Sequence, residues 1–368
     1  MHDDIYMLWL SSIVHQVGSR KLNALLEIFG TARNVFTVEI KELKNAVNLT
    51  AHMQKIISST RSLQYIESLL TDMDKMQMAY LSRNNERYPT LLREIPDPPV
   101  GIFFIGTMPA DNTNKIAIIG SRKCSEYGLM TAKMLAKPLA EAGIVIVSGM
   151  ARGVDSMAHK GALEGGGATI AVLGCGADIC YPPENERLRA EIIASGCIIS
   201  EYPPGTRPFP AFFPARNRII SGLSKGIVVT EATKKSGTLI TVNQAIDQGR
   251  EVFAVPGNIS SKLSQGTNNL ISDGACPVSD YKDILYALNI TTKDKILDKS
   301  EKSQTKALQN LAPDEKQVYD NLTFEAISFD MLLDLTGILP GQLHLICMNL
   351  ELKGLARKLP GSRYIKSV

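Results

Sequence analysis

Along the first 75 residues the apolar positions recur at helical spacing: Leu22, Leu25, Leu26, Ile28 and Phe29 in one stretch, then Leu43, Val47, Ile56 and Ile57. They predict a small helical module over residues 1–75. From about residue 80 to 288 the pattern changes to short, β-branched apolar runs alternating with helical stretches. Six strands read from it: Ile116–Ile119, Ile144–Val147, Thr169–Leu173, Cys197–Ser200, Ile227–Thr230 and Val252–Val255. Each run is apolar throughout, as strands covered by helices on both faces must be. The expected fold class is α/β, an extended Rossmann-like, doubly wound and mostly parallel sheet. Ligands of such sheets lie beyond the carboxyl ends of the strands, so the loops after these runs are where chemistry belongs.

Two further segments follow. Residues 289–312 are polar and rich in lysine (Lys293, Lys295, Lys299, Lys302, Lys306), which predicts a linker. In residues 313–368, DEKQVYDNL, SFDMLLDLTG and LPGQLHLICMNLELKG have helical spacing, and LARKLPGSRYIK reads as a hairpin around Pro360-Gly361. Three helices and a wing predict a winged helix. The helix placed to enter a DNA groove offers Gln342, His344 and Asn349 but neither Arg nor Lys, so duplex contact and recruitment of a protein both stay open. Most of this segment's basic charge (Lys353, Arg357, Lys358, Arg363, Lys366) lies in the last 18 residues. Near the amino terminus, Val17-Gly18-Ser19-Arg20-Lys21 is either a plain turn between packed helices or a helix-hairpin-helix turn whose amides meet a phosphate.

Composition narrows the picture. With 44% hydrophobic residues the chain buries ordinary cores, and a net charge of only +3 means that any basic site is local. The six cysteines show no paired CxxC spacing, so they are expected to be reduced, with no metal and no cofactor implied. The opening MHDDIYMLWLSSIVHQVG carries two acids and no base before its apolar stretch, unlike a signal peptide. No apolar run reaches the roughly 18 residues of a membrane span. A cytoplasmic protein without a membrane partner is expected.

The loops after the strands carry the candidate chemistry. IGSRKCSEYG joins a tight turn at Gly120 to the hydroxyl of Ser121 and the cations Arg122 and Lys123 at a helix start, an anion site by composition. Arg122 stands where the dinucleotide fingerprint needs glycine, which excludes that ligand. Ser148-Gly149-Met150-Ala151-Arg152-Gly153-Val154-Asp155 repeats the small-residue and arginine pattern; Asp155 reads as a helix cap and His159 as a residue that packs or hydrogen-bonds within that helix. After Tyr181-Pro182-Pro183-Glu184, Asn185 reads as a cap or a ligand contact. The long loop EYPPGTRPFPAFFPARNRIISGLS is stiffened by five prolines and interleaves Arg207, Arg216 and Arg218 with Phe209, Phe212 and Phe213. That combination suits single-stranded nucleic acid, because rings stack on bases while guanidiniums take the backbone, although at least one phenylalanine is expected to plug the core. Finally, Glu231-Ala232-Thr233-Lys234-Lys235-Ser236-Gly237-Thr238 leads into a helix and places amides, hydroxyls and lysines at its amino end.

Taken in order, GSR, SGMARGVDSMAH, GCGADICYPPEN, SEYPPGTRP, FPARNRIISGLS, KKSGTLITVNQA and VPGN resemble the DNA processing protein A (DprA/Smf) family over roughly residues 80–288. The Gly361-Ser362-Arg363-Tyr364 wing fits the same family. The resemblance implies a homodimeric, cytosolic protein that binds single-stranded DNA during natural transformation and loads the RecA recombinase on it. It carries the phosphate pocket over to Gly120, Ser121 and Arg122, to Ser148 and Gly149, to Phe213, Arg216, Asn217 and Arg218, and to Ser236, Gly237 and Thr238. Arg152 and Lys235 join them from the reading of the loops. On this expectation Arg122, Arg216 and Arg218 hold successive phosphates while Phe213 or a neighbour stacks on a base. The alternative is a nucleotide phosphoribohydrolase of the same Rossmann superfamily, whose catalytic Glu would fall at Thr241. A hydroxyl cannot supply that carboxylate's charge, so a binding protein rather than an enzyme is expected.

Overall fold

The computed structural model describes residues 3–291, 311–323 and 326–366. Most of the expected linker, residues 292–310, lies outside the described residues. The centre is a nine-stranded sheet of β1 (Ala79–Ser82), β2 (Gly101–Gly106), β3 (Lys115–Ile119), β4 (Val145–Ser148), β5 (Thr169–Leu173), β6 (Cys197–Ser200), β7 (Gly226–Val229), β8 (Glu251–Ala254) and β9 (Cys276–Pro277). Their order is β1-β2-β6-β5-β4-β3-β7-β8-β9. The pairs from β6 through β9 are parallel, whereas β1–β2 and β2–β6 are antiparallel.

Alternation within each strand explains why the runs are apolar throughout. In β3, Ile116 and Ile118 pack against the helices Glu126–Glu141 and Val154–Glu164, while Ala117 and Ile119 face the core on the other side with Ile219, Ile220 and Val242. Helices Phe212–Gly222 and Thr238–Asp247 cover that second face. The six strands read from sequence match β3 to β8 with ends displaced by at most one residue. β1, β2 and β9 were not foreseen: β1 and β9 are edge strands of four and two residues, and β2 runs against the parallel pattern.

Seven helices lie between Asp4 and Lys75. Trp9, Leu22, Leu25, Leu43 and Ile57 are fully buried, in a cluster that continues into Phe103 and Ile198 of the sheet. Ile28, read as part of the buried stripe, is turned out. The carboxyl segment folds as three helices, Pro313–Asn321, Phe329–Thr336 and Pro340–Leu352, with a three-stranded sheet of Ile327–Ser328, Ala356–Leu359 and Arg363–Lys366. This is a winged helix, packed on Val318, Leu332, Leu343, Leu350 and Tyr364. Among the described residues no single helix is long and apolar enough to cross a membrane.

Candidate nucleic-acid interface

Strand order reverses between β3 and β7. The chain runs outward from β3 to β6 and returns to β7 on β3's other side, so the loops after these two neighbours diverge and leave a crevice at their carboxyl ends. The two loops are tied at their base, where the Ser121 amide donates to the Glu231 carbonyl at 2.9 Å. Gly120 is required here: a Cβ would lie 2.7 Å from Val154 Cγ2 and 2.9 Å from Thr230 Oγ1. Gly153, at φ +78°, brings the loop after β4 against the Ser121 carbonyl, 2.5 Å from where its Cβ would stand. Ser121 Oγ accepts the Lys123 amide at 3.1 Å, which shapes the turn and sends Arg122 and Lys123 outward into solvent.

Arg122 is not loose. Its guanidinium lies over the Phe213 ring, 5.4 Å from the centroid, and Phe213 in turn packs on Gly174 and beside Tyr181, whose ring centroid is 5.4 Å away. Phe213 is half-buried and holds Arg122, whereas Tyr181 and Phe209 are the more exposed rings beside it. Phe212 stacks on Tyr202 at 4.4 Å and packs against the core, the inward role expected for one of the three phenylalanines. Across the crevice, Lys234, Lys235 and Gly237 are exposed, and Ser236 Oγ accepts the Thr238 amide at 3.2 Å to start the helix Thr238–Asp247. Four cations and one helix start therefore rim the crevice.

The other expected phosphate contacts point inward. Ser148 is buried and its hydroxyl donates to the Ile118 carbonyl at 2.6 Å. The Gly149 amide donates to Asp155 Oδ2 at 3.2 Å, and a Cβ on Gly149 would lie 1.9 Å from Arg216 Nη1. Arg216 itself is buried, donates to the Val172 carbonyl and lies beside Asp155; burial pulls its pKa down to about 10, so it stays cationic. Arg218 is buried too. One of its terminal nitrogens donates to both Glu201 oxygens, at 2.6 and 2.8 Å, and to Ser19 Oγ at 3.0 Å, and its Nε lies 3.5 Å from Asp97. Both arginines therefore lie inside the protein against its own oxygens rather than at the surface of the crevice, with Arg216 Nε and Arg218 Nη1 left buried without a hydrogen-bond partner. Arg152 is exposed but paired with Glu184, and Asn217 lies half-exposed between the two buried arginines.

Smaller readings shift as well. Ser19, at the proposed hairpin turn, donates to Asp97 at 3.1 Å and receives Arg218, so that helix start faces the protein's own carboxylate. Asp155 caps no helix end: its Oδ2 takes the Gly149 amide, and burial raises its pKa against the pull of Arg216. His159 hydrogen-bonds across to Thr169 of β5 at 2.7 Å rather than within its helix. Asn185 makes no cap and instead bridges the Met150 carbonyl and Ser156 Oγ. Burial pushes the thiols of Cys175, Cys180 and Cys197 up to about 12, which removes them as nucleophiles. Among the described residues no group of three or more His, Cys, Asp or Glu is placed to hold a metal ion.

Glu231 opens the loop after β7, and the structure supplies its side chain with a role that the sequence alone does not. Glu231 is buried, and its two carboxylate oxygens accept from Ser125: Oε2 from the backbone amide at 2.8 Å and Oε1 from the hydroxyl at 2.6 Å. Ser125 is the N-cap of the helix Glu126–Glu141, so a protein carboxylate sits where the first helix of such a fold offers its amides.

Comparison with known proteins follows the same residues. The family model for DNA recombination-mediator protein A matches residues 79–289, and that for the DprA winged helix domain matches residues 302–362. DNA processing protein DprA of Streptococcus pneumoniae is 46% identical over 198 residues, 54% of this chain and 70% of that one. The crystal structure of the S. pneumoniae protein superposes with a TM-score of 0.66, covering 78% of this chain and 97% of that chain. Protein Smf of Synechocystis is 31% identical over 97% of both chains. DNA processing protein A from Helicobacter pylori, described for its single-stranded DNA binding mode, superposes with a TM-score of 0.53 at 32% identity over 59% of this chain and 98% of that one. With more than half of its length matched by the family model and a full-length relative above 30% identity, the chain belongs to the DprA/Smf family.

Proposed function

We propose that this chain is a DNA-processing protein that binds the backbone of single-stranded DNA along the crevice between the β3 and β7 loops. The observation that carries the reading is Arg122, oriented by Phe213 and set beside Lys123, facing Lys234, Lys235 and the Ser236-Gly237-Thr238 helix start across the strand-order reversal. Exposed Tyr181 and Phe209 supply rings for bases without demanding a sequence. Contacts of this kind give sequence-tolerant affinity that falls with salt. Arg216 and Arg218 act beneath the site: Arg216 backs the loop after β4, and Arg218 ties the helical module to the sheet.

Fluorescence anisotropy with labelled oligo-dT and with a duplex of equal length tests the reading. Tight, salt-sensitive binding of the single strand is the expected result, and equal or stronger binding of the duplex overturns it. Membership of the family supports two finer steps, a homodimer in solution and delivery of the bound strand to the RecA recombinase. Light scattering of the intact chain and RecA-filament assembly on strands precoated with it test these separately. The hydrolase alternative has no foothold at its decisive position, since Thr241 is buried and bears no carboxylate. Incubation with AMP should release no adenine.

A further inference from the structure

Glu231 is an unusual occupant of the place it holds. In a doubly wound sheet the crevice at the strand-order reversal, closed by the start of the first helix, is the seat of a ligand phosphate, because free backbone amides and the helix dipole converge there. Here the carboxylate takes both donors of Ser125, whose hydroxyl also accepts the Gly128 amide at 3.2 Å. The surroundings are shaped to admit it. A Cβ at Gly128 would lie 2.4 Å from Glu231 Oε2, so only glycine leaves room in the first turn of that helix. Its backbone is clamped as well, by the Ser121 amide on the Glu231 carbonyl and by the Ala232 amide on the Leu263 carbonyl. The cations Arg122 and Lys123 of the same loop stand outside this seat and exposed.

We propose that Glu231 is a specificity-determining residue: it fills the phosphate seat with the protein's own anion, so the crevice rejects free nucleotides and leaves only its rim cations for a polymer backbone. The inference rests on the reading of the crevice as a DNA site. A mononucleotide needs one deep, fully liganded phosphate because it brings only one or a few. A strand brings many and can be held by shallow contacts in series. An internal carboxylate at the seat therefore separates the two ligand classes by charge and by volume.

The test uses the full chain, with oligo-dT, AMP and inorganic phosphate as probes. Wild type should bind oligo-dT, with AMP at millimolar concentration failing to compete. In Glu231→Ala the seat is open and Ser125 is left with unmet donors, so phosphate should raise the melting midpoint by about 2–5 °C more than it does for wild type. Glu231→Gln fills the same volume and should show no such gain. A folded Glu231→Ala protein that is indifferent to phosphate overturns the proposal. If that variant does not fold, wild type decides alone: submillimolar binding of AMP, displacing oligo-dT, shows that the seat was never closed. Loss of oligo-dT binding by wild type would instead sink the DNA reading, a result that the AMP and phosphate titrations do not mimic.

Discussion

Two arginine-bearing segments look alike in sequence and do opposite things in the fold. Gly120-Ser121-Arg122-Lys123 leaves its cations in solvent at the crevice rim, one of them laid over Phe213. Pro214-Ala215-Arg216-Asn217-Arg218 forms part of a helix that turns both arginines into the protein, onto Asp155, the Val172 carbonyl, Glu201, Asp97 and Ser19. The difference does not lie in the segments themselves. It lies in whether a carboxylate from elsewhere in the chain reaches the cation before a ligand does. The same holds for helix starts: those at Ser19 and Ser125 face Asp97 and Glu231, whereas the one at Thr238 faces solvent with two exposed lysines ahead of it.

The strongest way to separate the two segments is to remove one arginine from each. Arg218→Ala leaves Glu201, itself buried, without its partner, and loss of one member of a buried pair costs about 3–5 kcal/mol of stability. Urea unfolding should show that loss, while the protein that remains folded binds oligo-dT within about threefold of wild type. A specific loss of DNA affinity at unchanged stability would place Arg218 in the interface after all. Replacing Arg122 and Lys123 together with alanine should do the reverse. Affinity should fall about 10- to 100-fold, or about 1.4–2.7 kcal/mol. The salt dependence of log K should flatten by about 1.4, two phosphates at roughly 0.7 each. Exposed substitutions of this kind leave stability within about 0.5 kcal/mol.

What sequence made legible was whatever is local. An apolar run closed by Gly or Ser identifies a strand end, and β3 to β8 were readable to within a residue because burial on both faces leaves no other pattern. The β3 and β7 loops were readable for the same reason: Gly120, Ser121, Arg122 and Lys235 stand at the strand ends where such folds bind ligands. The direction of Arg216 and Arg218 was not. Glu201 lies 17 residues from Arg218, Ser19 lies 199 away, and Ser125 meets Glu231 across 106, so only the folded sheet brings donor and acceptor together. Phe213 shows a subtler limit. Aromatic residues near arginines announce stacking, but the pattern does not say whether the ring takes a base or, as here, the arginine itself.

The interior beside Arg216 should also register pH in a way the rim does not. Thr169 donates its hydroxyl proton to the Ile146 carbonyl, so His159 donates from Nδ1 and keeps a buried, unpartnered Nε2. Burial, aided by Arg216 nearby, lowers its pKa to about 3. Above the unfolded value of about 6.5 the group contributes nothing; as pH falls from 6.5 toward 3 the unfolded chain takes up a proton that the folded one refuses. Stability then declines with a slope approaching about 1.4 kcal/mol per unit. Between pH 7.5 and 5.0, wild type should lose about 2 kcal/mol more than His159→Gln, measured by urea midpoints at each pH. Equal losses in the two proteins would mean that His159 is reached by protons in the folded state.

The smallest effect on single-strand affinity should come from the winged helix, and the reason extends the comparison to a third region. Its third helix, Pro340–Leu352, exposes Leu345, Met348 and Leu352, and the preceding helix exposes Met331 and Leu335, with no Arg or Lys in either. Of the nearby cations, Lys353 pairs with Glu315 at 2.6 Å, Arg357 with Glu126, and Lys366 lies 4.5 Å from the Tyr319 ring centroid, while Lys358 and Arg363 of the wing are exposed. A face with apolar side chains and acids at Asp330, Asp334 and Glu351 offers a phosphate backbone nothing to release its counterions for. Removal of residues 311–368 should therefore change oligo-dT affinity by less than about threefold and leave the salt slope unaltered. A drop of tenfold or more, with a shallower slope, would show that the wing holds phosphates and that the rim of the β3–β7 crevice is only half of the interface.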